Sequence, residues 1–461
     1  MIGTSPVNLL FQINNSNWPI SISYFSLLLA FLLSSIIHIK GSESLYEWVE
    51  MVVLIVSGWV FILAGDYWSI LIGWTLIDFV ELIFHFRHKV LSPDKFYFHF
   101  LIKFLGSLIL IFGISRSFQL NPFGLFEKNV EGIGLIIPLA AFLHSGISSN
   151  FSERSDLESF PNKMIIFLKI ISFITSFFLL IYLPQPNLGL ISSLVFKIFL
   201  FGFAILQMYK WASVKDEIPG IRKLLLAFGS VLCLIFFSGL GEYIEIWLIL
   251  LIVPFGWLYL YTDRDPKLQV FLFLSGFFLT GIPFSLTFQG LFQLSVQGQW
   301  IDLFFVLIPM TIALSGFINH GLKKSGNFDG LEPWYQVFYL IGLFFPLLTT
   351  SAIVLRNPKP SISSLSSWWI GLSMVLISSL LCFYQFRAEK TVFESKLIQK
   401  RNSGLLPSII MGFQFFIERV IFLLDNLLLF FSSLFEADGG ILWSIVFLVL
   451  FITILNFQGG T

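Results

Sequence analysis

Residues 164–183 read MIIFLKIISFITSFFLLIYL, and Lys169 is the one charged side chain among them. A helix needs about 20 consecutive apolar residues to cross the hydrocarbon core of a bilayer. The run meets that length, so it is expected to be a membrane span with a cation inside it. Working outward toward the N-terminus, the same template finds spans near 148–132, 114–98, 84–67, 64–48 and 37–20. Toward the C-terminus it finds 188–208, 223–240, 244–261, 268–292, 301–318, 334–355, 368–386 and 441–456. The expectation is an all-α polytopic membrane protein with about fourteen transmembrane helices.

Composition agrees with the spans. Only 12% of residues are charged, 56% are hydrophobic, and mean hydropathy is +0.88. A soluble domain carries about a quarter charged residues. Lys plus Arg and Asp plus Glu are equal at 27 each, so no charge excess points to nucleic acid. Cys233 and Cys382 both lie in apolar runs, and no CxxC pair or Cys/His cluster is present. No metal site and no organic cofactor is expected. GxSxG and GxxxxGK spacings are absent too, so no catalytic site is read here. The N-terminus has no basic residue before Lys40, and its first apolar run is long enough to span, so no cleavable signal is expected.

Loop charges set the orientation. One side carries Lys40, Arg87, Lys89, Lys95, Arg154, Lys163, Lys210, Lys215, Arg222, Lys223, Arg264, Lys267, Lys323, Lys324, Arg387, Lys390, Lys396, Lys400 and Arg401. The other carries only Arg116, Lys128, Arg356 and Lys359. Short cytoplasmic loops collect Lys and Arg, which places the rich side in the cytoplasm and both termini outside it. The expected layout is a bundle over 1–386, a linker with an amphipathic helix over 387–440, and a final span with its tail over 441–461. Within 408–435, Glu418/Arg419, Asp425/Asn426 and Ser432/Ser433 recur every seven residues, drawing a polar stripe along an apolar rod. Such a helix suits the membrane surface; a further span with its polar face turned inward is the alternative.

Five passages carry a resemblance: Asp66-Tyr-Trp-Ser-Ile-Leu-Ile-Gly-Trp74-Thr75, Pro138-Leu-Ala-Ala-Phe-Leu-His144-Ser145, Ile221-Arg222-Lys223-Leu-Leu-Leu-Ala227-Phe-Gly-Ser230, Leu279-Thr-Gly281-Ile282-Pro283, and the 408–435 helix followed by Phe435-Glu436-Ala-Asp-Gly439-Gly440-Ile-Leu-Trp443. In order, spacing and sidedness the chain resembles the antiporter-like membrane subunits of respiratory complex I, membrane-bound hydrogenases and multi-subunit cation/proton antiporters. The resemblance implies an inverted-repeat bundle with helices broken near Pro138 and Pro283. It implies a lateral helix over 408–435, other membrane subunits as partners, and a bacterial cytoplasmic membrane. Thr75 stands where that family keeps a membrane Glu, Ile137 where it keeps a central Lys, and Gly290 or Leu291 where a later Lys or Glu is usual. The later break reads Gly-Ile-Pro-Phe, where the family has Gly-Ile-Pro-Pro.

The ionisable candidates left inside the spans are Asp78, Glu81, Lys103, His144, Lys169 and Lys197. Each costs about 2.5–3.5 kcal/mol at a bilayer centre on insertion scales, so each needs a reason. Asp78 and Glu81 share one helical face, one turn past Thr75. Two readings stay open: stations of a displaced proton relay, or static pairs that hold helices together. Function divides accordingly. The chain is expected to contribute to, or scaffold, proton or cation translocation in a multi-subunit complex. A non-conducting structural subunit is the alternative, as is a transporter working with a soluble partner, for example in inorganic carbon uptake.

Overall fold

In a computed structural model, the described residues are 17–35, 44–65, 67–88, 93–118, 136–145, 160–183, 190–214, 217–261, 265, 268–323, 332–356 and 365–395. The apolar runs become helices because a buried or lipid-facing backbone must satisfy its own polar groups. The N-terminal half contains α1 (Trp18–Ser35), α2 (Ser44–Ile62), α3 (Tyr67–His88), α4 (Pro93–Phe118), the short α5 (Ile136–His144), α6 (Phe160–Phe178), α7 (Leu190–Ser213) and α8 (Glu217–Phe237). After these come α9 (Ile244–Leu250), a π-helical turn Leu251–Phe255, and α10 (Gly256–Leu260), which together make one rod. The rest are α11 (Gln269–Phe277), α12 (Leu286–Val296), α13 (Trp300–Gly321), α14 (Pro333–Arg356) and α15 (Leu365–Ser395). Each of the first thirteen expected spans overlaps a described helix, 132–148 only through the nine residues of α5 and 268–292 through the α11–α12 pair of half-helices.

Seven of the described helices are long and apolar enough to cross a membrane, and α2, α4, the α9–α10 rod and α15 hold shorter apolar stretches. The chain is an all-α integral membrane protein. Burial separates its helices into two sorts. The α6 rod, α8 and α9–α10 are wrapped by protein. By contrast α7 presents Val195, Ile198 and Phe199 outward, and α15 presents Trp369, Leu376, Leu380 and Phe383. Apolar faces of that extent suit lipid and would be an aggregation hazard in water.

Proline sits where it costs least in several helices. Pro93 and Pro333 open α4 and α14, where the missing N–H has no helical partner anyway. Pro138 lies in the first turn of α5, and the described helix runs past it to His144. The break near Pro283 is a real departure from helix: the chain leaves α11 after Phe277 and re-enters at Leu286. Gly281 has φ +67° and Phe284 has φ +78°. Thr287 Oγ1 accepts from the Gly281 N–H at 2.8 Å, and Ser285 Oγ caps α12 by accepting from Phe288 N at 3.2 Å. These side chains replace the helical bonds that the break gives up, which is what makes irregular backbone tolerable at this depth. Gly371 of α15 seats against it; a Cβ there would stand 2.6 Å from Gly281 O and Ile282 N. The Pro254 π turn is a second irregularity that the apolar pattern did not announce.

Helix α15 continues to Ser395, past the boundary expected at 386. The described residues all fall in one compact unit. The expected lateral helix at 408–435 and the final span at 441–456 lie outside the described residues.

Candidate functional site

Helix α3 carries Trp74, Asp78, Glu81, His85 and His88 at alternating intervals of four and three residues. That spacing follows the 3.6-residue turn and stacks all five on one face. On α4, His99, Lys103 and Gly106 follow the same rule, as do Lys169, Ser172 and Ser176 on α6. The facing stripes meet. Glu81, His85, His99, Lys103 and His144 are all buried.

Lys103 is the centre. Its Nζ lies 2.6 Å from Asp78 Oδ1 and also donates to Glu81 Oε2. Ser172 Oγ stands 3.4 Å from the same ammonium. One lysine thus holds two carboxylates, and each carboxylate reaches further with its other oxygen. Glu81 Oε1 accepts from His99 Nε2 at 2.8 Å and has His85 Nε2 at 3.6 Å. Asp78 Oδ2 faces His144 Nε2 at 3.2 Å. The result is a continuous series: His85, Glu81, Lys103, Asp78, His144. It covers about 10 Å of α3 between Asp78 and His85, at 1.5 Å rise per residue.

His144 is placed by three contacts. Its ring stacks on Trp74 with centroids 3.7 Å apart and planes 5° from parallel. Its Nδ1 lies 2.9 Å from Ser176 Oγ. Its backbone is pressed against Gly106 of α4, where a Cβ would stand 2.6 Å from His144 N and 2.9 Å from Ala140 O. Only a residue without a side chain permits that approach.

The hydrogen-bond directions carry a proton count. Ser176 Oγ is 2.6 Å from the Ser172 carbonyl, which can only accept, so the Ser176 proton points there. His144 Nδ1 must then be the donor toward Ser176. Neutral imidazole has one N–H, so Nε2 facing an ionised Asp78 would set two acceptors together. One extra proton between His144 and Asp78 removes that conflict.

Of the candidates drawn from the sequence, Asp78, Glu81, Lys103 and His144 come together in one cluster. Lys169 sits half-buried on the α6 stripe that bears Ser172 and Ser176. Lys197 stands apart on α7, where its Nζ lies 2.9 and 2.8 Å from the two carboxylate oxygens of Asp302 on α13. His85 and His99 were missed. Their signal was present: His85 is four residues after Glu81 and His99 four before Lys103, hence on the faces already singled out. At the outer end of the stripe, Glu50 of α2 holds Arg87 at 3.1 Å and His88 at 3.2 Å.

No sequence profile of a known family matches this chain, and no curated protein matches it in sequence. Solved structures do match. A chain of the membrane-bound sulfane sulfur reductase (MBS), an archaeal respiratory membrane complex, aligns with TM-score 0.62 and 12% identity, over 96% of this chain and 89% of that one. A chain of the Mrp complex from Dietzia sp. DQ12-45-1b aligns with TM-score 0.57 and 8% identity, over 99% of this chain. This protein spans only 58% of that Mrp chain. A chain of respiratory complex I from Thermus thermophilus, solved with bound aureothin, gives TM-score 0.51 and 13% identity over 72% of this chain and 84% of that one. At such identities the likeness is one of fold. The chain has the fold of the antiporter-like membrane subunits, as the sequence resemblance implies.

Proposed function

We propose that this protein is a membrane subunit of a multi-subunit proton- or cation-translocating assembly, and that the α3–α6 cluster carries protons through part of the membrane. The observation that carries the reading is the series of close contacts from His85 to His144, buried except for the partly exposed Asp78. Proton transfer across a low-dielectric core needs titratable groups within reach of each other or of bridging water. Here Lys103 can lean toward either carboxylate, and the proton shared by Asp78 and His144 is the transferable one. When Lys103 turns to Glu81, the proton rests on Asp78; when it turns back, the proton moves to His144 Nε2, and His144 gives up its Nδ1 proton to bridging water on the Ser176 side. Each step moves one proton and leaves the cluster's net charge to be restored from the His85 end.

Thr75 and Ile137, where the resembling family keeps its Glu and Lys, make this a displaced route. Asp78 lies one turn from Thr75 on nearly the same face, and Lys103 supplies the cation from a different helix. By the Lys/Arg bias the His85 end faces the cytoplasm. Among the described residues the bonded ionisable series ends at His144, which makes it a half-path. A half-path fits a subunit that works beside others.

The rival reading has an observation of its own. Lys103 already satisfies both acids, as a static brace between α3 and α4 would. Asp78→Asn with Glu81→Gln separates the two. Proton translocation by the parent assembly, reconstituted in vesicles, is expected to fall at least tenfold with assembly retained. Unchanged translocation at normal assembly overturns the relay, and loss of the assembly assigns the pair to bracing.

A further inference from the structure

Among the described residues, one group of side chains has the chemistry and spacing of a metal site. Glu81 and His85 on α3 and His99 on α4 are buried, and their ligand atoms all lie within 4.8 Å of one another. Glu81 Oε1 is 2.8 Å from His99 Nε2 and 3.6 Å from His85 Nε2. Around a tetrahedral Zn²⁺ with bonds of about 2.0–2.1 Å, donor atoms stand about 3.3 Å apart. The two measured edges bracket that value, so the three donors close on an ion by shifts of about an ångström. Two imidazoles and one carboxylate, with a fourth position for water, are an ordinary zinc donor set. Mg²⁺ and Ca²⁺ prefer all-oxygen shells and are disfavoured.

Two features of the surroundings prepare the site. Lys103 occupies Glu81 Oε2, which turns Oε1 alone toward the histidines and sets single-oxygen ligation. The ammonium also rests on Asp78, so it is shared between two carboxylates and is held on the side of Glu81 away from the histidines. His85 is one turn from the end of α3 at His88, and His99 lies in the second turn of α4. The site is therefore near the Lys/Arg-rich face.

We propose that Glu81, His85 and His99 bind one Zn²⁺ ion, and that the bound ion stops proton movement by occupying the carboxylate where the buried series begins. The binding half stands on the geometry alone; the blocking half rests on the proposed function. On binding, His99 exchanges its Nε2 proton for the Nδ1 tautomer and stays neutral, while Glu81 gives up that hydrogen bond for the metal.

The test uses the full chain purified in detergent, with Zn²⁺ as the titrant in calorimetry and Co²⁺ as an optical probe. One Zn²⁺ per chain is expected. Affinity should fall about 100-fold or more in His85→Gln and in His99→Gln, since even outer partners of metal ligands are worth 10–100-fold. His320→Gln, on α13, should bind as the parent does. No stoichiometric binding, or unchanged affinity in both ligand variants, overturns the site. Should those variants not fold, the parent protein decides: Co²⁺ must give tetrahedral visible bands without thiolate charge transfer, and a purely octahedral spectrum overturns the proposal. In the reconstituted assembly Zn²⁺ should halt translocation. Binding without inhibition overturns the blocking half, and direct binding remains decisive if the assembly proves not to pump.

Discussion

The α3–α6 cluster and the α11–α12 break are both polar places inside an apolar bundle, and they differ in kind. The first holds two carboxylates, an ammonium and three histidines on intact or barely interrupted helices. The second, from Phe278 to Thr287, holds no ionisable side chain; its polar groups are backbone amides and the hydroxyls of Thr280, Ser285 and Thr287. Broken backbone needs only hydroxyls to be satisfied, as Thr287 and Ser285 demonstrate. The charges of the first region are not required by its backbone, because α3 and α4 run through as regular helices. Charge retained where the backbone does not demand it is the ground on which the α3–α6 cluster is proposed as the working part.

The comparison is most exposed to a test at Lys103. Lys103→Met keeps the length of the side chain and leaves Asp78 and Glu81 without their cation. Removing one partner of a buried ionic group costs about 3–5 kcal/mol, because the remaining charge is left uncompensated. The expected outcome is a large loss of unfolding temperature in detergent. If Lys103→Met is no worse than a hydroxyl deletion at the α11–α12 break, the two regions are energetically alike and the contrast fails.

Gly106→Val sharpens the same point through shape alone. The new Cβ meets the backbone of His144 and Ala140, and backbone cannot swing aside as a side-chain tip does. Overpacking of this sort costs about 1–3 kcal/mol. It should also part His144 from Asp78, so translocation by the assembly falls more than stability alone accounts for. Normal translocation with α5 displaced would remove His144 from the path.

Thr287→Val deletes the hydroxyl that bonds Gly281 N and keeps the volume. An orphaned amide costs about 1–3 kcal/mol, with membrane hydrogen bonds toward the low end, so about 1 kcal/mol is expected by thermal unfolding. Translocation should not change beyond that loss of stability. A drop in translocation with full stability would make the break part of the conducting route.

Much of this was legible in the residues. Apolar runs gave the order of the described helices, because length is written locally. Asp78, Glu81, Lys103 and His144 stood out as charges deep inside those runs. What sequence could not convey was pairing across helices. His85 and His99, near span ends, were not among the candidates, and their part in the cluster shows only once α3 and α4 are brought face to face. Lys197 resembled a mid-membrane station, but Asp302, at the opening of α13, lies more than a hundred residues away in sequence and answers its charge. The π turn at Pro254 left no mark on hydropathy at all.

The smallest effect is expected at Phe284, and it runs the other way. This residue sits at φ +78°. In that region the Cβ of an L-residue crowds the following carbonyl, at about 1–2 kcal/mol. Glycine avoids the crowding, while adding freedom to the unfolded chain that offsets part of the gain. The Phe284 side chain is 40% exposed, so little packing is forfeited when it is removed. Phe284→Gly should therefore stabilise by about 0.5 kcal/mol, a small rise in unfolding temperature. Phe284→Pro restores the Gly-Ile-Pro-Pro reading of the resembling family, yet proline locks φ near −65° and cannot adopt this backbone. It should destabilise by more than the Gly variant stabilises. The opposite pair of signs would mean that the α11–α12 break follows the family backbone. In that case the departure at Phe284 would be a matter of side chain, and the later half of the bundle would be nearer to a working channel than its lack of charge suggests.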